Sequence, residues 1–456
     1  MPASTLSPSD RRRHDTIETV AGPSGRRRRS PPPATTWVPL LVVGGASATL
    51  AAGLIAKTLG ADWGAPAQPL VVFLRPALST WAIPALATLG LALLAAVHLG
   101  KARVSPAAFG ACLFALTLLT RLALNVIRGG PDALYTVFAV HANGEGRTEY
   151  LAGLPSLDGG VGHFLRHFPE LVAGLPIQVA GHPPGLLLAI HWLGIDTPQG
   201  LAALTIGVGA LATPLLYLLA RELFEEPAAR TAALLFAFVP TSLLYGATSG
   251  DALFATLGVA AAAALLARRT WARILGAILL ALAAFFSYAL LAVGPWSALV
   301  RWRREGIGAA LRLAAICAVV LAVAYLVLYL TTGFDLVSAI RATDAKYHEG
   351  IARLRPYPFW LFGSPAAFLL MLGPVAWFAA RSLGAKEATA IALAVVIAIA
   401  TLAGYTKAET ERIWLFLVPF ACLAAARSLP ARRVPIVLAA AAAQAVIVEI
   451  LLFTKW

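Results

Sequence analysis

Carboxylates, histidines, arginines and turn residues crowd into four stretches of a chain that is otherwise apolar. The first is 129–200, with Asp132, Glu145, Arg147, Glu149, Tyr150, Asp158, Arg166, His167 and His182. It runs into Gly181-His182-Pro183-Pro184-Gly185. The second is Ser249-Gly250-Asp251. The third is 333–358, with Asp335, Arg341, Asp344, Lys346, Tyr347, His348, Glu349, Arg353, Arg355 and Tyr357. The fourth is Lys407-Ala408-Glu409-Thr410-Glu411-Arg412-Ile413-Trp414. A carboxylate can take the proton of an attacking hydroxyl. A guanidinium grips a phosphate with two parallel hydrogen bonds. Acids beside Arg, Lys and His therefore suit transfer of a group from a phosphate to a hydroxyl acceptor.

Each candidate also has a plainer structural use. Asp251 opens an apolar run and could cap a helix. His182 could hydrogen-bond its own turn, and Glu149 could be a solvated loop acid. Glu411 and Arg412 could form an ion pair that sets the depth of a helix. Yet ionisable groups at the edge of hydrocarbon are costly and usually face a cavity.

The elements that must position these residues are membrane helices. Over 456 residues the mean hydropathy is +0.78, with 59% hydrophobic and 13% charged residues. That is the composition of a polytopic membrane protein. The net charge of +14 fits basic cytoplasmic loops better than nucleic-acid binding. Residues 1–36, with Arg11-Arg12-Arg13 and Arg26 to Arg29, read as a disordered basic cytoplasmic tail rather than a cleaved signal. Cys112, Cys317 and Cys422 sit in apolar runs and read as small core residues.

A span needs about 20 apolar residues. Hydropathy places spans near 37–58, 69–99, 106–128, 200–221, 231–247, 252–268, 272–286, 287–300, 311–331, 359–381, 387–405, 413–427 and 434–453. The expected fold is an all-α polytopic membrane protein of about thirteen spans. The two spans within 37–105 precede a core at 106–453 that carries an extracytoplasmic loop at 129–200. Basic clusters at both ends of 272–300 imply two short helices turning near Ser287-Tyr288. Lys and Arg bias puts the N-terminus in the cytoplasm of a plasma-membrane protein and the C-terminus outside. The apolar run Pro184–Ile195 is too short to span, so it reads as a juxtamembrane or re-entrant helix started by its Pro pair. His191 within it reads as packed or interfacial. Val161–Gly174 reads as a helix lying in the interface.

Several chemistries are unsupported. The chain has no Walker A sequence for ATP-driven work, no H-E-x-x-H and no Cys cluster for zinc. The chain resembles the GT-C superfamily of polyprenyl-phosphate-sugar-dependent glycosyltransferases. The resemblance rests on Glu149-Tyr150-Leu151, His182-Pro183-Pro184-Gly185, the next span with Arg221, and Ser249-Gly250-Asp251-Ala252-Leu253. Uncharacterised actinobacterial integral membrane proteins of GT-C character are similar also at Ala352–Tyr357 and Lys407–Trp414. The likeness covers roughly 106–453. Two additional N-terminal spans precede the core span that leads into the large loop here, and Ser287-Tyr288 replaces a lysine frequent at the hairpin turn.

The resemblance implies an inverting transferase on the outer face. It would move a sugar from a polyprenyl phosphate to a cell-envelope glycan, lipid or protein. Glu149 is then the expected base, with Asp132 and Asp158 in reserve. His182, Arg355, Lys407 and Arg412 would hold the donor phosphate, Glu411 would orient Arg412, and Tyr150, Asp251, Lys346 and Tyr357 would line the pocket. No protein metal site is expected, although the acids could hold a divalent cation. Two rivals stand beside this reading. A non-enzymatic carrier or flippase of a lipid-linked sugar would show half-repeats or helices broken at mid-membrane. A degenerate envelope scaffold would tolerate loss of every outer carboxylate.

Overall fold

The structure is a computed structural model that describes residues 37–141 and 144–455, leaving the side chain of Ile351 aside. The tail expected at 1–36 lies outside the described residues. The described residues are mostly helical, with a small antiparallel ladder of Val72–Leu74 on Leu452–Thr454. This is the architecture of an all-α membrane protein.

Thirteen straight spans are not present. Among the described residues six helices are long and apolar enough to cross a membrane, or up to eight if each of two bent pairs counts as one span. The six include Trp37–Thr58, Ala82–Lys101, Pro106–Gly129 and Ile307–Thr332. The span expected at 69–99 is corrected most. Its first part is the Val72–Leu74 strand and an irregular stretch, and a helix begins only at Ala82. Residues 252–268, 272–286 and 387–405 are helices of 16, 17 and 16 residues. The run 359–381 is two helices, Tyr357–Leu372 and Pro374–Gly384, bent by 114°. Glu226–Phe238 and Pro240–Thr248 are bent by 58°. Hydropathy sums apolar length but does not see where Pro removes a helical N–H or Gly turns the chain. The break at Ser287 does fall where expected, between Thr270–Phe286 and the turn at Tyr288–Ala292.

Short helices that end inside the fold leave carbonyls that hydrocarbon cannot satisfy. Buried side chains meet them here. Arg121 Nη1 donates to Gly246 O at 3.0 Å, Asn125 Nδ2 to Leu243 O at 2.9 Å, and Thr205 Oγ1 to Ala247 O at 3.1 Å. Thr241 Oγ1 donates to Met371 O at 3.0 Å, joining one break to the other. Gln444 Nε2 closes the second break on Leu370 O at 2.8 Å.

Asp251–Leu266 and Val418–Ser428 are buried nearly throughout. Ile307–Thr332 is peripheral, with only 11% of its apolar window buried. Where apolar burial gives no advantage over lipid, small residues bring helices together. A Cβ on Gly276 would lie 2.5 Å from Leu265 N, so helix Thr270–Phe286 meets Asp251–Leu266 backbone to backbone. Cys317 and Cys422 are buried, whereas Cys112 is exposed, correcting its reading as a core residue.

The helix after the Pro pair is Gly185–Trp192, eight residues and about 12 Å long. It cannot cross a bilayer, as the sequence implied. Gly185 is required there, since a Cβ would lie 2.3 Å from Phe285 O. The helix expected over Val161–Gly174 is instead three short turns, Val161–Arg166, Phe168–Leu171 and Val172–Gly174, interrupted at His167.

Candidate functional site

The site is built where the start of helix Asp251–Leu266 meets the loop ahead of Trp414. Asp251 is the first residue of its helix and Gly250 holds the cap position. Its carboxylate therefore turns inward rather than capping. Ser249 Oγ donates to Asp251 Oδ2 at 2.5 Å, and Arg412 Nη1 reaches the same oxygen at 2.7 Å. Arg412 Nη2 lies 3.3 Å from Glu409 Oε2, and Arg355 Nη2 lies 2.8 Å from Glu409 Oε1. Four side chains thus alternate in charge: Asp251, Arg412, Glu409, Arg355. Asp251, Arg412 and Arg355 are each at most 5% exposed. Buried charges persist only when paired and hydrogen-bonded in this way.

The loop is strained to make this chain. Ala408 and Glu409 both adopt left-handed backbone, with φ of 67° and 62°. Non-glycine residues held so cost about 1–3 kcal/mol each. The ion pairs on both sides of Glu409 over-determine its position. Burial pushes the Glu409 carboxyl up, but Arg412 and Arg355 pull harder and hold it below the ordinary range.

The large loop supplies the facing wall. Glu149 is extended between two short turns, Gly146–Thr148 and Tyr150–Leu157, and is 3% exposed. Burial pushes its carboxyl up to about 8, Arg412 opposes this, and Asp251 and Glu145 reinforce it. Glu149 therefore holds its proton more tightly than an exposed carboxyl does. The Tyr150 ring lies 6.2 Å from His182, which lies 5.1 Å from Phe254, one turn into the Asp251 helix. The Tyr150 hydroxyl is buried without a hydrogen-bond partner among the described residues. A Cβ on Gly250 would come within 3.4 Å of Tyr150 and 3.1 Å of Leu186, so this packing depends on glycine there.

His182 Nδ1 lies 2.8 Å from Gln178 O. A carbonyl accepts, so Nδ1 carries the hydrogen and Nε2 keeps a lone pair in the neutral ring. Burial lowers the His182 pKa against the pull of Asp251. A neutral ring in this tautomer accepts a hydrogen bond from a hydroxyl more readily than it donates to a phosphate.

No protein-family model matches the chain, and no curated protein matches it.

The geometry therefore has to carry the functional reading. The structure brings together Glu149, Tyr150, His182, Asp251, Arg412 and Arg355. Lys407 stands beside them, with Nζ donating to Ala352 O and Arg355 O, both at 3.1 Å. Arg355 also donates to Lys407 O at 2.6 Å and to Gly64 O at 3.4 Å. These two cations clamp loops as well as supplying charge. Glu411 is hydrogen-bonded elsewhere. It accepts the Val71 N–H at 2.7 Å, while its Oε2 is buried without a partner among the described residues. Glu409 and Asp251 pair with Arg412.

Other candidates lie apart. Asp132 is exposed and accepts from the Tyr135 hydroxyl at 2.5 Å. Asp158 is exposed. Lys346 Nζ donates to Ala173 O at 2.7 Å, and Tyr357 OH to Leu402 O at 2.8 Å. Among the described residues no group of three His, Cys, Asp or Glu side chains could hold a metal ion.

Glu409 and Ser249 are the functional candidates to which sequence reasoning gave no role. The alternation of acid and base over Lys407–Arg412 was a signal for Glu409. What selects it over Glu411 is the left-handed turn, which aims the two carboxylates differently.

Proposed function

We propose that the chain is a membrane glycosyltransferase that moves a sugar from a polyprenyl phosphate to a cell-envelope acceptor on the outer face, with inversion. The observation that carries this reading is the buried Glu149 carboxyl within electrostatic reach of the buried Arg412–Asp251 pair. A base with a pKa near the working pH is the effective kind. Glu149 would take the proton of the acceptor hydroxyl as that oxygen bonds to the anomeric carbon. The bond from that carbon to the phosphate oxygen breaks, and its electron pair leaves with the phosphate. One displacement of this kind inverts the anomeric centre.

Arg412 is suited to the departing phosphate. Its contact with Glu409, at 3.3 Å, is looser than that with Asp251, at 2.7 Å. Glu409 retains Arg355 if Arg412 turns part of its fork to a phosphate. Tyr150 OH and His182 Nε2 suit sugar hydroxyls, one as donor and one as acceptor. The resemblance to GT-C enzymes, a helix at Gly185–Trp192 too short to span, and the outer-face orientation inferred from basic loops support the same reading.

A carrier of a lipid-linked sugar is the second reading, and one observation favours it. Helices bent by 58° and 114°, both broken at proline, are the discontinuities that transporters use. A transferase assay separates the two. Membranes supplied with labelled polyprenyl-phosphate sugar should yield labelled acceptor with the native chain, and Glu149→Gln should abolish this. Transbilayer movement of the donor without transfer, unchanged in Glu149→Gln, would select the carrier.

A further inference from the structure

A polar cavity lies at the far end of helix Asp251–Leu266, about 24 Å along its axis from Asp251. Its volume is about 270 Å³, and its polar lining comprises Arg268, Arg301, Arg304, Glu222 and Glu305. The helices Ala212–Leu223, Asp251–Leu266 and Val293–Glu305 all end here. Each is followed by a helix starting at the same end, at Glu226, Thr270 and Ile307. Negative helix ends are therefore offset by an equal number of positive ones. Side chains decide the field. Three arginines line the cavity against two glutamates, and Arg273 and Arg312 act on Arg301 from nearby.

Arg301 is the built element. It is 4% exposed, and its Nη2 pairs with Glu305 at 3.1 Å. Its Nε is buried with no hydrogen-bond partner among the described residues. A buried N–H without an acceptor is destabilising. Trp302 and Trp271, 49% and 61% exposed, flank the cavity in sequence. Exposed tryptophans mark the level where hydrocarbon meets headgroups.

We infer that the Arg268–Arg301–Arg304 cavity binds the phosphate of an anionic phospholipid headgroup. The acceptor that Arg301 lacks would be a phosphate oxygen, and Arg268 and Arg304 would hold the other non-bridging oxygen, which shares the single negative charge of the phosphodiester. The level of Trp271 and Trp302 is the argument for a membrane lipid rather than a dissolved anion. On the topology inferred from the basic loops this is the cytoplasmic leaflet. The site is independent of the transferase reading.

The test uses the full chain in nanodiscs of phosphatidylcholine with added phosphatidylglycerol. Native mass spectrometry counts the retained lipids. The native chain should retain phosphatidylglycerol in preference to phosphatidylcholine. The exposed pair Arg268→Gln/Arg304→Gln should lose that preference by about tenfold or more. Arg432→Gln/Arg433→Gln, which removes as many exposed arginines from the turn after Ser428, should leave it unchanged. Equal loss in both double variants would mean unspecific charge attraction and overturn the cavity. Unchanged retention in a folded Arg268→Gln/Arg304→Gln chain would overturn it too. A thermal shift by inorganic phosphate that Arg268→Gln/Arg304→Gln removes, with no phosphatidylglycerol preference, would overturn the lipid assignment.

Discussion

Glu149→Gln removes a carboxyl whose proton the fold holds tightly, and its effect on stability can be worked out. Burial raises the carboxyl from 4.5 to about 8. Between these values the folded chain keeps a proton that the unfolded chain has released. Native stability therefore falls as pH rises from about 4.5 to about 8 and then levels off. A gap of about 3.5 corresponds to about 5 kcal/mol at full development, and to about 3 kcal/mol near neutral pH. Both are upper bounds, because side chains around a buried charge relax. Glutamine has the same size and cannot ionise, so it escapes this penalty. Thermal unfolding of the detergent-purified proteins, followed by tryptophan fluorescence over a pH series, is the assay. Native chain and variant should unfold together near pH 4.5. The variant should then gain progressively up to about pH 8 and no further. A gap independent of pH would refute the reasoning. So would a variant less stable at high pH, because Arg412 would then be stabilising an ionised Glu149.

Further outcomes follow from the same geometry. If Glu149 is the base, transfer should rise with pH toward about 8 as it deprotonates, and Glu149→Gln should lower the rate by about 10²–10⁴-fold. Asp251→Asn should cost about 3 kcal/mol or more by breaking a buried pair, seen as a lower unfolding temperature. Gly185→Ala should lower yield and unfolding temperature, because its Cβ would collide with the Phe285 carbonyl. Gly246→Ala should do the same, since its Cβ would fall 2.4 Å from Arg121 Cζ.

How legible was this in the sequence? The membrane class was, because apolar length suffices for it. The non-spanning helix after His182 was legible too, since eight to twelve residues cannot cross hydrocarbon. The number of spans was not. Pro240, Gly373 and Pro374 break runs that hydropathy joins, and Arg75-Pro76 lies in a stretch that forms a strand and an irregular segment. Within the site, Asp251 and Arg412 could be chosen from their placement at the ends of spans, and Glu149 from its place in the large loop and the resemblance. Their meeting point could not, because Arg412 and Asp251 are 161 positions apart. Glu409 was hidden for a local reason. Nothing in Lys-Ala-Glu-Thr-Glu announces two left-handed residues in succession, and that turn brings Glu409 to Arg412. Asp132 and Asp158 illustrate the converse. Both lie in the right loop, yet neither is withdrawn from water.

The most direct test is a structure of the chain with a polyprenyl-phosphate sugar bound. The account predicts phosphate density within hydrogen-bond reach of Arg412 and the sugar toward Tyr150 and His182. The anomeric carbon should leave room for an acceptor oxygen beside Glu149, about 3–3.5 Å away. A donor phosphate seated elsewhere, with Arg412 still closed on Asp251 and Glu409 and no density near Glu149, would contradict it.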